Sequence, residues 1–484
     1  MVACLSCAAN TLSTTTPFLS SQIQSHSNNP KFGSQEALIV FQNCSNFTHL
    51  KLVHAKIIRN GLSNDQLLVR KLLHLCFCYG EIDYATLLFH QIQNPHTFTW
   101  NFMIRAYTKN GNSQEALFLY NLMICRGFPP DKFTFPFVVK ACLSSSALDK
   151  GKEIHGFAIK TGFWKDTFLH NTLMDLYFKC GDFDYGRKLF DKMRVRSVVS
   201  WTTFVAGLVA SGELDAARKA FDEMPMKNVV SWTAMINGYV KNQRAQEAFE
   251  LFWRMQLDNV RPNEFTLVGL LKACTELGSL QLGSWIHEYA LKNGFKLGVF
   301  LGTALIDMYS KCGSLEDAKQ VFDKMEIKSL ATWNSMITSL GVHGFGKEAL
   351  ALFARMEEAN VQPDAITFVG VLCACVHTIN VEEGIRYFKY MTECYGIMPV
   401  LEHYTCMIEL YTRANMLDEV RELINSMPVE LSSSPAAALI LQSIIDCDAE
   451  NEKLFDFPGK DLDCFATPTY LSQNQLQCFE WDVG

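Results

Sequence analysis

The chain has 484 residues, 49 % of them hydrophobic, and a formal net charge of −7 from 43 Lys and Arg against 50 Asp and Glu. No apolar run reaches the roughly 18 residues that a bilayer-crossing helix needs, so no membrane partner is expected. From Leu431 to the end nine acidic and two basic residues carry the whole of that charge. The remainder is neutral, which excludes a simple polycation that holds any nucleic acid by charge alone.

Residues 1–33 read as a leader. Up to residue 35 there is no acid and one base, Lys31, among abundant Ser and Thr, the composition of an organelle transit peptide. With the first arginine at Arg59, a plastid address is expected, with mitochondrion as the alternative. The chain's seventeen cysteines are scattered without a disulfide rhythm, several at repeated positions such as Cys142 with Cys274 and Cys180 with Cys312. They read as small buried thiols in a reducing compartment.

Beyond the leader the chain keeps a metre. Trp100, Trp201, Trp232 and Trp333 stand 101, 31 and 101 residues apart and open near-copies of one segment, WNFMIRAY, WTTFVAGL, WTAMINGY and WNSMITSL. His54, His155 and His287 keep the same arithmetic, as do the triplets Lys140-Ala141-Cys142 and Lys272-Ala273-Cys274. A stack of supersecondary units has a reason to keep such spacing, because each buries its apolar face against the next. The metre cuts the chain into units 97–131, 132–166, 167–197, 198–228, 229–263, 264–298, 299–329, 330–364, 365–400 and 401–432, with lengths near 35, 35 and 31. Upstream, 34–65 and 66–96 fit less well, 34–65 being about three residues short of its later counterpart.

Each unit reads as two helices. In 97–131 the first places Met103, Ile104 and Tyr107 on one stripe, and the second places Ala116, Leu117, Leu119, Tyr120 and Met123 on another, the spacing of a buried face. Asn110-Gly111 breaks the chain between them, and Asn112 with Glu115 is expected to form a capping box, with Ser314 and Asp317 repeating it. Pro129, Pro130, Pro262 and Pro363 are expected to stop second helices. The expected fold is all-α, a right-handed α-solenoid superhelix of tandem helix-turn-helix units over 34–432, followed by an acidic tail, 433–484, with few reasons to order.

The 35/35/31 order, the phrases VVSWTAMINGYVKNQRAQEAFELFWRMQLDNVRPN and TALIDMYSKCGSLEDAKQVFDKM, and the KAC…IH pattern resemble the pentatricopeptide repeat (PPR) family, in its plant subclass of alternating long and short motifs. The likeness is strongest over 97–431. Tetratricopeptide repeats hold a constant period of about 34 and do not fit. The resemblance implies single-stranded organellar RNA as partner, one nucleotide per repeat, and through it trans-acting editing or processing proteins. It assigns base reading to the fifth and last residues of each unit. Asn101 with Asp131 and Asn334 with Asp364 match its uracil pair, and Asn171 with Ser197 resembles a cytosine pair. Thr202 with Asn228 and Thr233 with Asn263 resemble adenine pairs, and Thr303 with Ser329 a weak purine reader. Pro136, Val268 and Val369 offer no donor or acceptor. Second residues Phe98, Val199, Val230 and Phe265 are expected to sandwich bases, and the implied target is U-n-C-A-A-n-R-U. Taken singly, each polar residue reads equally well as a helix cap.

No catalytic residue, cofactor, metal or small-molecule substrate is expected. A cytidine-deaminase site needs His-x-Glu and Pro-Cys-x-x-Cys; no histidine here is followed two residues on by Glu, and the one Cys-x-x-Cys, Cys4 and Cys7, lies in the leader. Cys76/Cys78 and Cys373/Cys375 fall on helices, where neighbours two apart face differently. After Glu430 the sequence departs from the extension motifs of that subclass. The expected function is an RNA-binding adaptor in organellar transcript maturation, C-to-U editing first; the rival is a protein-binding helical scaffold, which the neutral body and acidic tail favour.

Overall fold

The computed structural model describes residues 32–92 and 94–428, and the expected leader up to residue 31 and the acidic tail lie outside the described residues. Among the described residues all regular structure is helical: 24 α-helices in succession, with a 3-10 turn at Phe163–Lys165. No helix there is long and apolar enough to cross a membrane. The chain forms two compact units, divided between Cys180 and Gly181.

Helices alternate as the metre requires. In the first compact unit Gln66–Cys78 is followed by Ile82–Gln91, Thr97–Lys109 by Ser113–Cys125, and Thr134–Ser144 by Leu148–Lys160. The second holds Val198–Ala210 with Leu214–Glu223, Val229–Lys241 with Ala245–Leu257, and so on to Leu401–Arg413 with Leu417–Ser426. The structure explains the two unit lengths. Second helices of the long repeats, such as Ser113–Cys125 and Ala245–Leu257, have 13 residues. Those of the short repeats, Phe183–Lys192, Leu214–Glu223, Leu315–Lys324 and Leu417–Ser426, have 10. Most of the deficit is therefore one helical turn, about 3.6 residues. The shortened unit 34–65 loses its residues from the first helix instead, Ser34–Gln42 having nine.

The tryptophans bind each repeat to the one before. Each lies edge-on to the phenylalanine 11 residues upstream, on the preceding second helix: Phe89–Trp100 and Phe221–Trp232 with centroids 4.7 Å apart, Phe190–Trp201 at 4.9 Å and Phe322–Trp333 at 5.1 Å. Such pairs contribute about 0.5–1.5 kcal/mol beyond the area they bury. The histidine metre has a similar origin. His54, His155 and His287 each place Nδ1 within 2.8–2.9 Å of a tyrosine hydroxyl, on Tyr84, Tyr177 and Tyr309.

Second helices of the long repeats stop before their prolines. Gly127, Asn259 and Asn360 adopt φ of 78, 55 and 56°, and the next amide returns to the carbonyl five residues back: Phe128 to Met123, Val260 to Met255 and Val361 to Met356. This is a Schellman motif, which ends the helix in a left-handed residue, so the prolines follow a stop already made. The expected box at Asn112 is not formed: its side chain accepts nothing from its helix, its ψ being 62°. Ser314 likewise makes no cap bond, its hydroxyl donating to the Asp317 carboxylate at 2.5 Å.

Candidate nucleic-acid interface

The first helices carry the residues singled out by the repeat register. Every last residue expected to read a base is also a cap for the next repeat. The Ser197, Asn228, Asn263, Ser329 and Asp364 side chains accept the amide three residues on, from Ser200, Ser231, Thr266, Thr332 and Thr367, and each third residue bonds back in a capping box. Asp131 accepts from the Phe133 and Thr134 amides. Such caps stabilise a helix by about 1 kcal/mol each, and they hold these side chains half-buried at the start of the helix.

At Asn101, Thr233, Thr303 and Asn334 the fifth residue of the preceding unit reaches that cap or its third residue. Asn101 Nδ2 donates to Asp131 Oδ1 at 2.8 Å, and Asn334 Nδ2 donates to Asp364 Oδ1 at 2.9 Å. Both asparagines accept a threonine hydroxyl at 2.6 Å, from Thr134 and Thr367. A primary amide carries two N–H groups, so one N–H of each asparagine and the second oxygen of each aspartate stay outside the network. Thr233 Oγ1 lies 2.8 Å from Thr266 Oγ1 and donates towards Asn263 Oδ1 at 3.4 Å. Thr202 bonds its own helix at the Val198 carbonyl, and Thr303 meets Thr332 at 2.8 Å. Asn228 and Asn263 spend only their carbonyl oxygens on capping, leaving both amide NH2 groups without a bond among the described residues. Asn171 is buried, and its Oδ1 has no partner among the described residues.

The fifth residues lie deeper than an open reading edge suggests. Asn101 retains 8 % of its exposure and Asn334 1 %. Pro136 is buried, and Val268 and Val369 are half-buried. What projects outward is the second residue. Phe98, Val199, Val230 and Phe265 are all about half exposed, and so are Phe133, Phe168 and Phe300 at the same place in their units. These last three were missed in the sequence although the register marks them. Phe265 and Phe300 have centroids 5.9 Å apart. In the first compact unit cations sit over such rings: Arg70 over Phe98 at 5.1 Å, Lys132 over Phe133 at 5.1 Å and Lys140 over Phe168 at 5.8 Å.

Among the described residues no three His, Cys, Asp or Glu side chains are placed to hold a metal. Cys76 is buried while Cys78 is exposed, and Cys375 is buried while Cys373 is half-buried. Burial pushes the Cys76, Cys142, Cys274 and Cys375 thiols up to about 12, which keeps them protonated and unreactive.

The PPR repeat family profile matches residues 95–144, 227–276 and 328–377, and the PPR repeat profile matches 168–198, 199–229, 303–330 and 402–430. A chloroplastic pentatricopeptide repeat-containing protein of Arabidopsis thaliana is 60 % identical over 459 residues, 94 % of this chain and 96 % of its own. The chain belongs to the pentatricopeptide repeat family. A second PPR protein of the same plant is 42 % identical over 391 residues, covering 81 % of this chain and 73 % of its own. Among solved structures, PPR10 from maize superposes with a TM-score of 0.62 at 20 % identity, over 87 % of this chain and 69 % of PPR10. PPR10 in complex with an 18-nt psaJ RNA element gives 0.53 at 20 %, over 81 % and 63 %. At that identity the likeness shows a shared helical-repeat fold.

Proposed function

We propose that this PPR protein is a non-catalytic, sequence-selective adaptor that binds single-stranded RNA in organellar transcript maturation. The observation that carries the reading is the pairing of fifth and last residues at Asn101–Asp131 and at Asn334–Asp364. Two repeats far apart in sequence leave the same donor and the same acceptor outside their networks. An amide N–H beside a carboxylate oxygen complements the O4 acceptor and N3–H donor of uracil. Asn263, with an amide NH2 group to spare beside Thr233, suits adenine, and Asn228 leaves the same donors open. The outward second-position side chains supply stacking surface, worth about 1–3 kcal/mol per base. The proposed target is U-n-C-A-A-n-R-U, 5′ to 3′.

The chloroplastic name of the 60 %-identical relative supports a plastid address. A relative named chloroplastic/mitochondrial at 36 % identity keeps the wider organellar assignment. Within transcript maturation, site recognition for C-to-U editing is the proposed step, with trans-acting proteins supplying the chemistry. The test is selection from a random RNA pool with the purified chain, followed by sequencing of RNA that co-purifies from plastids. Enrichment of the proposed octamer supports the reading, and an unenriched pool overturns it.

A further inference from the structure

A basic and aromatic groove of about 290 Å³ opens between the first helices of two early repeats, lined by Arg70, Lys71, His74, Phe98, Phe102 and Arg105. Its walls follow from helix periodicity. Arg70 and His74 are four apart on Gln66–Cys78, while Phe98, Phe102 and Arg105 fall at i, i+4 and i+7 on Thr97–Lys109, so each set shares one face. Arg70 stands over the Phe98 ring at 5.1 Å and Arg105 over Phe137 at 5.4 Å. His74 and Phe77 both pack on Phe102. Among the described residues Arg70, Lys71 and Arg105 make no ion pair with a carboxylate. Three cations thus share a groove with two partly exposed rings and no internal counter-charge.

Arg70 also occupies the fifth position of unit 66–96, where a side chain that reads bases by paired hydrogen bonds is expected and a charged, aromatic-stacked one stands instead. We propose that this groove is a sequence-indifferent nucleotide clamp. It holds the nucleotide immediately 5′ of the one assigned to Asn101 and Asp131, its base against Phe98 and Phe102 and its phosphates on Arg70, Lys71 and Arg105. The inference rests on the RNA-binding reading and extends it beyond the octamer. Rings accept any base because every base has a π-face, and guanidinium groups take phosphate oxygens as paired donors.

The experiment titrates the full chain with the proposed octamer and with octamers carrying two further 5′ nucleotides, as U, A, C, G or abasic residues. The extension is expected to tighten wild-type binding about tenfold whatever its bases, with abasic residues giving less. In the Arg70→Gln/Arg105→Gln double variant, whose altered side chains are both exposed, the gain disappears. Its slope of log affinity on log salt falls by about 1.4, the value for two single-strand phosphate contacts. Phe98→Ala is expected to lose the base-dependent part of the gain while keeping the abasic part. The proposal is overturned if the double variant binds extended RNA with wild-type affinity and salt slope. It is also overturned if the double variant loses only the binding of a polyglutamate peptide, which would assign the groove to an acidic protein. Exchange of Asn101 and Asp131 separates the two readings. If it leaves base preference unchanged while the extension gain persists, the pairing code fails and the clamp stands. No binding of any RNA removes both.

Discussion

Asn101 and Asp131 divide their polar atoms between holding the repeat junction and facing outward, and the division makes a base-reading exchange tolerable. Replacing them with Thr and Asn recreates an arrangement the chain already has, since Thr233 and Asn263 meet Thr266 at the place where Thr134 meets Asn101. Asn at 131 keeps a cap oxygen for the Thr134 amide, so the fold is expected to persist. Asn101→Thr/Asp131→Asn should move preference at one nucleotide from U towards A, at a cost of about 1–3 kcal/mol on the original base, by analogy with paired base readout in DNA. Fluorescence anisotropy with two RNAs differing at that base reads the change, and equal affinities before and after would remove the code. The buried Asn171 Oδ1 is a different case: it has no partner among the described residues, and such an acceptor costs about 1–3 kcal/mol.

At the scale of helices, much was legible and the exceptions have a common cause. The metre placed the first helices well, because the last residue of one unit caps the next in extended conformation: ψ is 167° at Ser197 and 169° at Asn228. From that conformation a side chain reaches the third amide. Second helices begin after a tight turn that sets ψ near 62–64°, as at Asn112, Asp182 and Glu213, and there the same residue types do not cap. Ser279 and Asn380 cap their second helices at ψ of 91 and 85°. The sequence shows residue type, whereas capping depends on a dihedral set by the turn. Burial of the fifth residues was equally hidden, since it depends on the third residue of the next repeat, a contact 33 positions away.

Two predictions belong to this scale. A Cβ at Gly341 would lie 2.9 Å from the Gly370 carbonyl oxygen and 3.2 Å from the Ala374 nitrogen. Both are backbone atoms of the next first helix, Ala365–Thr378, and cannot swing aside. Gly341→Ala should therefore destabilise the second compact unit by about 1–3 kcal/mol, read as a lower urea midpoint; an unchanged midpoint would show that the helices separate freely. His403 provides the pH-dependent case. It is fully buried, donates from Nε2 to the Ala365 carbonyl at 2.8 Å and accepts the Val400 amide at Nδ1 at 3.0 Å. Burial holds its imidazole below the ordinary range, against the opposing pull of the Ala365 bond and the Glu402 charge. The unfolded chain then takes up its proton first, near pH 6.5, so stability is present above that pH and is lost as pH falls through the folded value. Thermal melts should fall between pH 7 and 5.5. His403→Gln should fall less steeply, retaining some slope from His54, His287 and His377, which burial also lowers. Parallel slopes would discount His403.

At the scale of the molecule, stability resides in junctions between successive units, so a whole unit is expected to be removable where its junctions are interchangeable. Unit 198–228 meets that condition. It opens Val198-Val199-Ser200-Trp201, and the unit after it opens Val229-Val230-Ser231-Trp232. Ser197 caps the first through Ser200, and Asn228 caps the second through Ser231, by the same box. Joining Ser197 directly to Val229 therefore presents the cap with an identical partner. It also places the Phe190 ring, which now meets Trp201 at 4.9 Å, before Trp232, which now meets Phe221 at 4.7 Å. Each tryptophan stays 11 residues after its phenylalanine, so the aromatic contact is expected to re-form. What is lost is one fifth-and-last pair, Thr202 with Asn228. Deleting 198–228 should leave a cooperatively folded helical protein that prefers U-n-C-A-n-R-U, with the parent octamer bound more weakly than by the intact chain. Selection from a random RNA pool with both proteins reads the register directly. A shortened protein that folds but still selects two adenines would show that the repeats do not count nucleotides one by one.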